Sequence, residues 1–394
     1  MSGRRTFLGN AAAAVVMAKI PSLTSFGLAT DGPETIGATM SDREKAGLRG
    51  PVKQYTEETN TPPGPDHPEM RYASTTKYDA TGRILQIRNT NADGSKSMGS
   101  YTYDSQGHLL KTTSSEPSGS VIETNYTYDE KGRLIGITGN GERSSAFQYD
   151  DQGRKTVQSF GPKRSQGGAY AGSPWDAAVT SGIGVPVGGN ITTIYDGNDQ
   201  PTEAQIRDSE GRIVSRIVRS YDAHGRIIEE KQIEEDPALI FADKFAAEEG
   251  PEPAAAQLEA MNRAMKLMLS GRSDTRISYA YDAQGRITKT HSHNFAFDDV
   301  TAISYNEHGD TSAVHQTFTG NSTLQVGVPY SMDENGKLIP SDPAAKPTKL
   351  PDISGEVQYA YQYDSYGNWT EQTSSERSRP NEPSMVRHRT ITYY

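Results

Sequence analysis

Large and polar residues alternate along most of the chain in short blocks. The tripeptides Tyr-Thr-Tyr at 101–103 and 126–128 and Tyr-Ala-Tyr at 279–281 are typical. A period of two with aromatic and β-branched residues predicts β-strands that each have one buried face. Each block ends at a Tyr-Asp pair and resumes after a Gly, which predicts antiparallel hairpins with short bulged turns.

The turn between two blocks is a repeated motif, Tyr-Asp-x-x-Gly followed by a polar residue and Leu or Ile. The first four copies begin at Tyr78, Tyr103, Tyr128 and Tyr149, which are 25, 25 and 21 residues apart. A unit of this length cannot bury its own apolar face, so neighbouring units must stack. We predict that Asp accepts backbone hydrogen bonds in each turn and that Gly supplies a positive φ. The predicted turn residues are Asp79, Gly82, Asp104, Gly107, Asp129, Gly132, Asp150, Gly153, Asp222, Gly225, Asp282, Gly285, Asp364 and Gly367.

The number of repeats predicts the fold class. Weaker copies begin at Asp208, Tyr305 and Asp333, and the pair Tyr195-Asp196 lacks the Gly. About ten hairpins make about twenty strands, which is more than an open twisted sheet tolerates without curling or closing. We therefore predict an all-β protein of antiparallel β-hairpin repeats that form a wide curled or spiral sheet or barrel, with a small helical insertion.

The motif resembles the repeat of the RHS/YD-repeat family, whose members include toxin-encapsulating shells and teneurin-type surface proteins. The resemblance covers roughly residues 72–369, because Tyr-Asp-x-x-Gly-Arg-Leu/Ile recurs there at the family period. Residues 47–53 resemble the first strand of small exported YD-repeat proteins, and Gly-Asn-Trp at 367–369 resembles their closing repeat. The resemblance implies a wide, wound antiparallel sheet, and a fold alone does not define a function.

The first thirty residues have the order of segments found in export signals. Arg4 and Arg5 precede Phe7-Leu8, an apolar run follows at 11–18, and small residues end at Ala29. Basic, apolar and small-residue segments in this order define a signal peptide, and the paired arginines resemble a twin-arginine signal. We predict a signal peptide at 1–29 and a periplasmic or secreted protein. The alternative is a disordered basic tail.

The remaining chain is divided by three insertions. Residues 30–71 are predicted as an N-terminal segment that contains the first strand, and residues 72–394 as the repeat sheet. A Gly/Ser/Pro-rich loop interrupts the sheet at 161–190, and a Pro-rich insertion interrupts it at 318–357. Between them, Leu and Met recur at helical spacing in 236–271, which predicts a helical insertion and the only confident helix of the mature chain.

Composition narrows the possible partners. The chain has 21 Tyr but only 9 Phe, so we expect the tyrosine rows to form the core of the sheet; the alternative is an exposed row that stacks on sugars.

The absence of Cys excludes disulfides, thiolate metal sites and a thiol nucleophile. A net charge of -10 argues against a nucleic-acid partner. No stretch of 18 apolar residues occurs, so we predict no transmembrane span in the mature chain.

Few residues qualify as ligand contacts. We predict Trp175, Trp369 and Tyr366 as ligand-binding residues because exposed aromatic rings stack on sugars; the alternative for Trp175 is that it pins its loop to the sheet. His291 and His293 lie on one strand face and are weak zinc candidates, with Asp298 and Asp299 nearby. A metal site needs three or four placed ligands, so we predict no metal and no cofactor. We expect the turn arginines to pair with acidic residues of neighbouring hairpins.

The functional prediction follows from the repeat, the signal and the motifs that are missing. The sequence has no Gly-x-Ser-x-Gly elbow and no phosphate-binding loop. We therefore predict an exported, non-enzymatic binding or structural module of the cell envelope, with an envelope glycan or protein as its partner. The alternative is an RHS-type shell-like component that acts in competition between cells. A weaker alternative is a secreted carbohydrate-active enzyme, which would need two carboxylates across one groove.

Overall fold

The fold is described from a computed structural model. The predicted signal peptide (1–29) and helical insertion (236–271) lie outside the described residues, as does most of the Pro-rich insertion (318–357). The structure describes residues 40–64, 68–140, 142–161, 173–181, 184–186, 188–235, 275–294, 297–320, 330–332, 338–340 and 352–394.

Strands dominate the described residues. Twenty of the 22 strands belong to one sheet, and β18 and β19 form a separate pair. The strand pairs are antiparallel, which confirms the predicted all-β class of hairpin repeats. The strands are β1 (Val52–Thr61), β2 (Met70–Tyr78), β3 (Ile84–Thr90), β4 (Lys96–Tyr103), β5 (Leu109–Ser115), β6 (Val121–Tyr128), β7 (Leu134–Gly139), β8 (Glu142–Tyr149), β9 (Lys155–Phe160), β10 (Asn190–Tyr195), β11 (Pro201–Arg207), β12 (Ile213–Tyr221), β13 (Ile227–Glu234), β14 (Thr275–Tyr281), β15 (Ile287–His293), β16 (Phe297–Tyr305), β17 (Thr311–Gly320), β18 (Tyr330–Met332), β19 (Leu338–Pro340), β20 (Ile353–Tyr363), β21 (Trp369–Glu376) and β22 (Pro383–Tyr393). The helices are α1 (Asp42–Lys45) and α2 (Pro174–Ser181).

Contacts divide the chain into two units, which we describe separately. The unit that holds the first and last strands is called the terminal unit, and the other is called the central unit. The terminal unit comprises the described residues within Ala29–Ala146, Ala302–His315 and Gly355–Tyr394, and the central unit comprises those within Phe147–Thr301 and Gln316–Ser354.

The turn at Asp129 shows how the motif reverses the chain. The Asp129 N–H donates to the Arg133 carbonyl at 3.0 Å, and the Gly132 N–H donates to the Asp129 carbonyl at 3.0 Å. The Asp129 carboxylate accepts from the N–H groups of Lys131 (3.0 Å) and Arg133 (2.9 Å), and from Arg133 Nε at 2.7 Å. Gly132 has a φ of 75°, which a residue without Cβ adopts at no steric cost. One Asp side chain therefore satisfies most of the donors of the turn.

The same arrangement recurs along both units. The seven turn glycines of the motif have φ values between 75° and 96°. The turn arginines do not behave as expected, because each pairs with the Asp four residues earlier in its own turn, as Arg83 does with Asp79 at 2.6 Å. Asp Oδ1 already holds the backbone of this Arg, so its side chain folds back onto Oδ2. Arg154 in addition reaches Asp199 of the next turn, at 2.7 Å.

A β-bulge follows the turns at Asp79, Asp104, Asp129, Asp222, Asp282 and Asp364. On β6 and β7, Tyr128 pairs with Leu134 and Thr127 pairs with Gly136, so Ile135 has no partner. Ile135 remains 39% exposed, and the neighbouring repeats expose Leu85 and Leu110 in the same position. The bulge offsets the two strands by one residue just after each turn.

Tyrosine hydroxyls connect successive repeats. Tyr128 Oη donates at 2.9 Å to the carbonyl of Leu109, the residue that precedes the bulge of the previous repeat. We call this contact the tyrosine link. Turn side chains also cover these rings, with Arg83 lying 4.9 Å from the centre of the Tyr103 ring. Equivalent tyrosine links join Tyr103 to Ile84, Tyr195 to Lys155, Tyr221 to Pro201 and Tyr281 to Ile227.

The apolar core is smaller than the tyrosine rows suggest. Among the described tyrosines only Tyr78 is fully buried, so the expectation of a tyrosine core is wrong for most of them. They lie half-buried on the sheet, because the tyrosine link needs the ring to span two repeats instead of pointing into a core. The terminal unit has a small cluster of Leu48, Val52 and Tyr78. The central unit has a larger cluster in which α2 packs on Ile191 and Ile206.

The prediction of a loop at 161–190 is wrong in part, because this range contains helix α2. Helices α1 and α2 also show that the predicted helical insertion would not be the only helix of the mature chain. Ser173 caps α2 by accepting from the Asp176 N–H at 3.1 Å, and a Pro occupies the first helical position. The Ser-Pro-x-Asp sequence at 173–176 carries this helix-start signal, but the surrounding glycines obscure it. Among the described residues, no helix has the length and hydropathy needed to cross a membrane.

The tyrosine link should contribute measurably to stability. Tyr128→Phe removes one hydroxyl whose acceptor, the Leu109 carbonyl, is part-buried, and we expect the free energy of unfolding to fall by about 1 kcal/mol. Urea denaturation would measure the change. Tyr126→Phe is the matched control, because Tyr126 lies two residues earlier on β6 and its hydroxyl has no hydrogen-bond partner among the described residues. Equal losses in the two variants would show that the link contributes nothing.

The turn carboxylates should make the fold sensitive to acid. The hydrogen bond from the Arg226 N–H lowers the pKa of Asp222 from 3.8 to about 2. Partial desolvation of the carboxylate opposes this lowering, and the hydrogen bond from the Arg226 guanidinium adds to it. A carboxyl whose pKa is lower in the folded state stabilises that state above pH 4, and the contribution is lost as pH falls towards 2.

We therefore expect Asp222→Asn to flatten the fall in the urea midpoint between about pH 4 and pH 2. Asp151→Asn is the control, since Asp151 lies exposed in a turn and takes no part in the carboxylate arrangement. An unchanged acid slope in Asp222→Asn would contradict this account of the turn.

Candidate functional site

A buried charge pair lies beneath α2 in the central unit. The register of β12 and β13 places Arg219 opposite Glu230, and Arg219 Nε and Nη2 donate to Glu230 Oε1 at 3.0 and 2.9 Å. Ser173 Oγ donates to Glu230 Oε2, and the Trp175 N–H points to the same oxygen at 3.5 Å. We call these four residues the Glu230 cluster. Its carboxylate closes the N-terminus of α2, where negative charge is stabilising.

Trp175 belongs to this cluster and not to the surface. Its side chain is 6% exposed, and the Arg219 guanidinium lies 3.9 Å from the centre of its ring. The ring therefore fills the space between α2 and the sheet. This position favours packing, the alternative that the sequence leaves open for Trp175, over contact with a ligand.

Burial sets the electrostatics of the Glu230 cluster. Desolvation raises the pKa of Glu230, while Arg219 and Ser173 oppose the rise and the Asp176 carboxylate adds to it. Burial also raises the pKa of the neighbouring Tyr279, and the Glu230 carboxylate adds to that rise. Since Glu230 is 1% exposed, its carboxylate is enclosed by protein groups and acts on them. The arrangement anchors α2 to the sheet.

The two candidate zinc ligands form a hydrogen-bonded group with one carboxylate. His291 Nε2 and His293 Nδ1 lie 2.9 and 2.8 Å from the same oxygen of Asp298. Asp299 lies apart from them and accepts from Gln316 Nε2 at 2.9 Å. Within the ranges that the structure describes, no set of three His, Asp or Glu side chains has a geometry that could hold a metal ion.

The other two aromatic candidates occupy the last turn, in the terminal unit. Trp369 is 9% exposed, with the Arg389 guanidinium 3.5 Å from the centre of its ring. Tyr366 is 48% exposed and stacks on Tyr393 at 4.4 Å between ring centres. Of the three predicted ligand-binding residues, Tyr366 is thus the one that presents a ring to solvent.

The last turn also holds the N-terminal segment. Asn368 stands where other turns have Arg, and its side chain accepts from the Arg49 N–H at 2.7 Å and donates to the Arg49 carbonyl at 2.9 Å. The Arg49 guanidinium donates to the carbonyls of Gly367 (2.6 Å) and His308 (2.7 Å). Strand β1 then pairs with both β2 and β22. The change from Arg to Asn therefore marks a structural contact.

A groove of mixed polar and apolar lining lies on the terminal unit, where sequence reasoning finds no site. Its volume is about 390 Å³, and it crosses β2, β3, β4 and the end of β5. The strand register forms this groove, so no contiguous motif signals it. Residues that line the groove include Thr75, Arg88, Thr90, Lys96, Met98 and Ser115.

The fold and its turns define the class of protein, a sheet of antiparallel Tyr-Asp hairpin repeats. Residues 67–162 match the Teneurin YD-shell family model. The same turn motif recurs outside that range, and the match and the motif together support an RHS/YD-repeat family. No curated protein matches the chain.

Solved structures show only weak likeness. A porin-like protein from Bacteroides uniformis is 9% identical with a TM-score of 0.30, over 87% of this chain and 98% of that one. The TcdB2-TccC3-Cdc42 complex is 12% identical with a TM-score of 0.24, over 79% and 19%. The Photorhabdus luminescens Tc holotoxin pore is 12% identical with a TM-score of 0.23, over 78% and 19%. The chain thus spans about a fifth of these toxin chains.

The role of the Glu230 cluster as an anchor can be tested by Glu230→Gln. The change leaves the part-buried Arg219 with Asp176, 4.0 Å away and exposed, as its remaining counter-charge, and we expect the free energy of unfolding to fall by about 3 kcal/mol. Urea denaturation followed by Trp fluorescence measures the loss. Glu229→Gln is the control, because Glu229 precedes Glu230 on β13 and points to the other face. If both variants unfold alike, the cluster does not anchor α2.

Proposed function

We propose that this protein is an exported, non-enzymatic YD-repeat scaffold that binds an envelope glycan. The proposal rests on one observation: the carboxylates of the repeat turns and of Glu230 are engaged in structural contacts. The repeat carboxylates, such as Asp79 and Asp282, hold the backbone and basic side chain of their own turns. The buried Glu230 is likewise committed to Arg219 and α2. Because these carboxylates hold the fold together, they favour a scaffold over an enzyme.

The lining of the groove supports binding instead of hydrolysis. Glycoside hydrolysis needs a pair of carboxylates separated by roughly 5 to 10 Å across the substrate. The residues that line the groove contribute hydroxyls, an amide and two cations, and none of them is Asp or Glu. Such a surface can hold a polar polymer but offers no acid and base for cleaving it.

The proposed location rests on the N-terminal signal. The paired Arg4 and Arg5 with the apolar run at 11–18 support export by the twin-arginine route, which carries folded proteins. A chain without Cys needs no oxidation outside the cell, so it suits that route. The proposal therefore places the sheet in the periplasm or outside the cell.

A second candidate is a shell-like component that acts in competition between cells, and the family match at 67–162 favours it. A shell of this kind must protect an enclosed peptide. Limited proteolysis separates the two candidates, because only a shell leaves an enclosed C-terminal peptide intact after its link to the sheet is cut.

The proposed function predicts binding without turnover. The full chain is expressed in a bacterium, collected from the periplasmic fraction and tested against a panel of envelope glycans by isothermal titration calorimetry. We expect saturable binding of at least one glycan and no release of reducing ends. Retention of the protein in the cytoplasm would contradict the export proposal. Glycan hydrolysis that a single Asp, Glu or His substitution abolishes would contradict the non-enzymatic proposal.

A further inference from the structure

Arg88 differs from the other arginines whose side chains the structure describes. The turn arginines are ion-paired, as are Arg216, Arg219 and Arg377. Within that set, Arg88 is the arginine whose guanidinium has no hydrogen bond, ion pair or ring contact. Lys96 in the same groove also has none. In a chain with 50 acidic and 40 basic side chains, two free cations in one concavity require an explanation.

The strand register places both cations on one face. Thr75 pairs with Arg88, and Arg88 pairs with Met98, which forms one row across β2, β3 and β4. Thr90 pairs with Lys96 in the next row towards the β3–β4 turn. Directly paired residues point to the same side of a sheet, and diagonal neighbours have Cβ atoms about 7–8 Å apart. Arg88 and Lys96 are such a diagonal pair, so their long side chains can reach one common anion.

No carboxylate neutralises this pair. Asp93 lies in the turn between β3 and β4, where its carboxylate accepts from the Ser95 N–H at 2.9 Å. In the strand register, Glu58 lies opposite Ala73 on β1, and Glu123 is bound to Lys111 at 2.6 Å. None of the three lines the groove. Two like charges at this separation repel each other, and a bound anion would remove that repulsion. A guanidinium binds carboxylate and phosphate oxygens through two parallel hydrogen bonds, which favours those groups over a simple halide.

The remaining lining suits a sugar. Thr90 contributes a hydroxyl to the lining, and Met98 is 38% exposed and offers an apolar surface for a ring. Thr75 Oγ1 lies 3.0 Å from Thr56 Oγ1 and Ser115 Oγ donates to the Met98 carbonyl at 3.4 Å, but a hydroxyl oxygen with one such bond can still accept from a sugar. A volume of about 390 Å³ lies within the range of small-molecule sites, roughly 300–1,000 Å³.

We propose that this groove binds an acidic sugar unit, a saccharide that carries a carboxylate or a phosphate. Arg88 holds the anionic group through paired hydrogen bonds, Lys96 adds the second positive charge, and the hydroxyls and Met98 contact the ring. This site deepens the proposed glycan-binding function, on which it rests. Anionic polymers of the cell envelope carry either group, so the test compares both.

The test uses the full chain from the periplasmic fraction and isothermal titration calorimetry. The probes are trigalacturonate, which carries carboxylates, maltotriose 6-phosphate, and neutral maltotriose. The variants are Arg88→Gln and Lys96→Gln. Lys77→Gln is the matched control, because Lys77 is an exposed cation on the same face of β2 but lies outside the groove lining. Circular dichroism checks that each variant folds, and all three side chains are exposed.

We expect one or both acidic trimers to bind at least tenfold more tightly than maltotriose. Arg88→Gln and Lys96→Gln should each weaken that binding about tenfold, while Lys77→Gln changes it less than twofold. Met98→Glu, which adds a carboxylate to the groove, should abolish it by repulsion. The trimer that binds identifies carboxylate or phosphate as the recognised group.

Three outcomes would overturn the inference. Equal weakening by Arg88→Gln and Lys77→Gln would show attraction to general surface charge, and equal affinity for neutral and acidic trimers would show that the cations are not used. Absence of binding by both acidic trimers would also refute it. The proposed function would survive each of these results if another glycan of the panel binds, and would fall with the inference only if none does.

Discussion

The hydrogen bonds that each turn Asp makes to its own backbone are the constraint on which the rest of the structure depends. Asp129 accepts from two successive N–H groups of its turn and from the side chain of Arg133. Without that carboxylate, the turn would leave those donors to water and the hairpin would lose its register. Within each hairpin, the second strand takes its position from the turn, so that strand pairing is set locally.

The turns alone would not form a sheet if successive repeats did not contact one another. The tyrosine link provides the junction, because a ring on one repeat covers the turn of the previous one while its hydroxyl binds a backbone carbonyl there. The ring buries surface against the turn, and the hydroxyl fixes its position by a hydrogen bond. Tyr has both features, whereas Phe lacks the hydroxyl. This explains how a protein rich in Tyr and poor in other large apolar residues assembles a broad sheet in which the described residues form two small apolar clusters.

Sequence reasoning reaches the features that are encoded within one repeat. Alternation and the Tyr-Asp-x-x-Gly motif predict the strands and the bulged turns, and the glycines at 82 and 132 adopt the positive φ that the motif requires. Pairing of each Arg within its own turn was missed, since spacing alone does not tell which Asp a flexible side chain reaches. Helix α2 was missed because the glycines around it outweighed the short Ser-Pro-x-Asp signal. The groove could not be predicted, because Arg88 and Lys96 meet only through the register of two strands.

The substitution of Asn368 for Arg gives the array a defined end. An Arg at that position would fold back onto Asp364, as the other turns show, and would leave the backbone of Arg49 without the amide that now accepts and donates at once. The repeats are therefore not interchangeable. Duplication of an interior repeat would add a hairpin and leave the contact between Asn368 and Arg49 unchanged. Duplication of the last repeat would instead create two competing binding positions for one N-terminal segment.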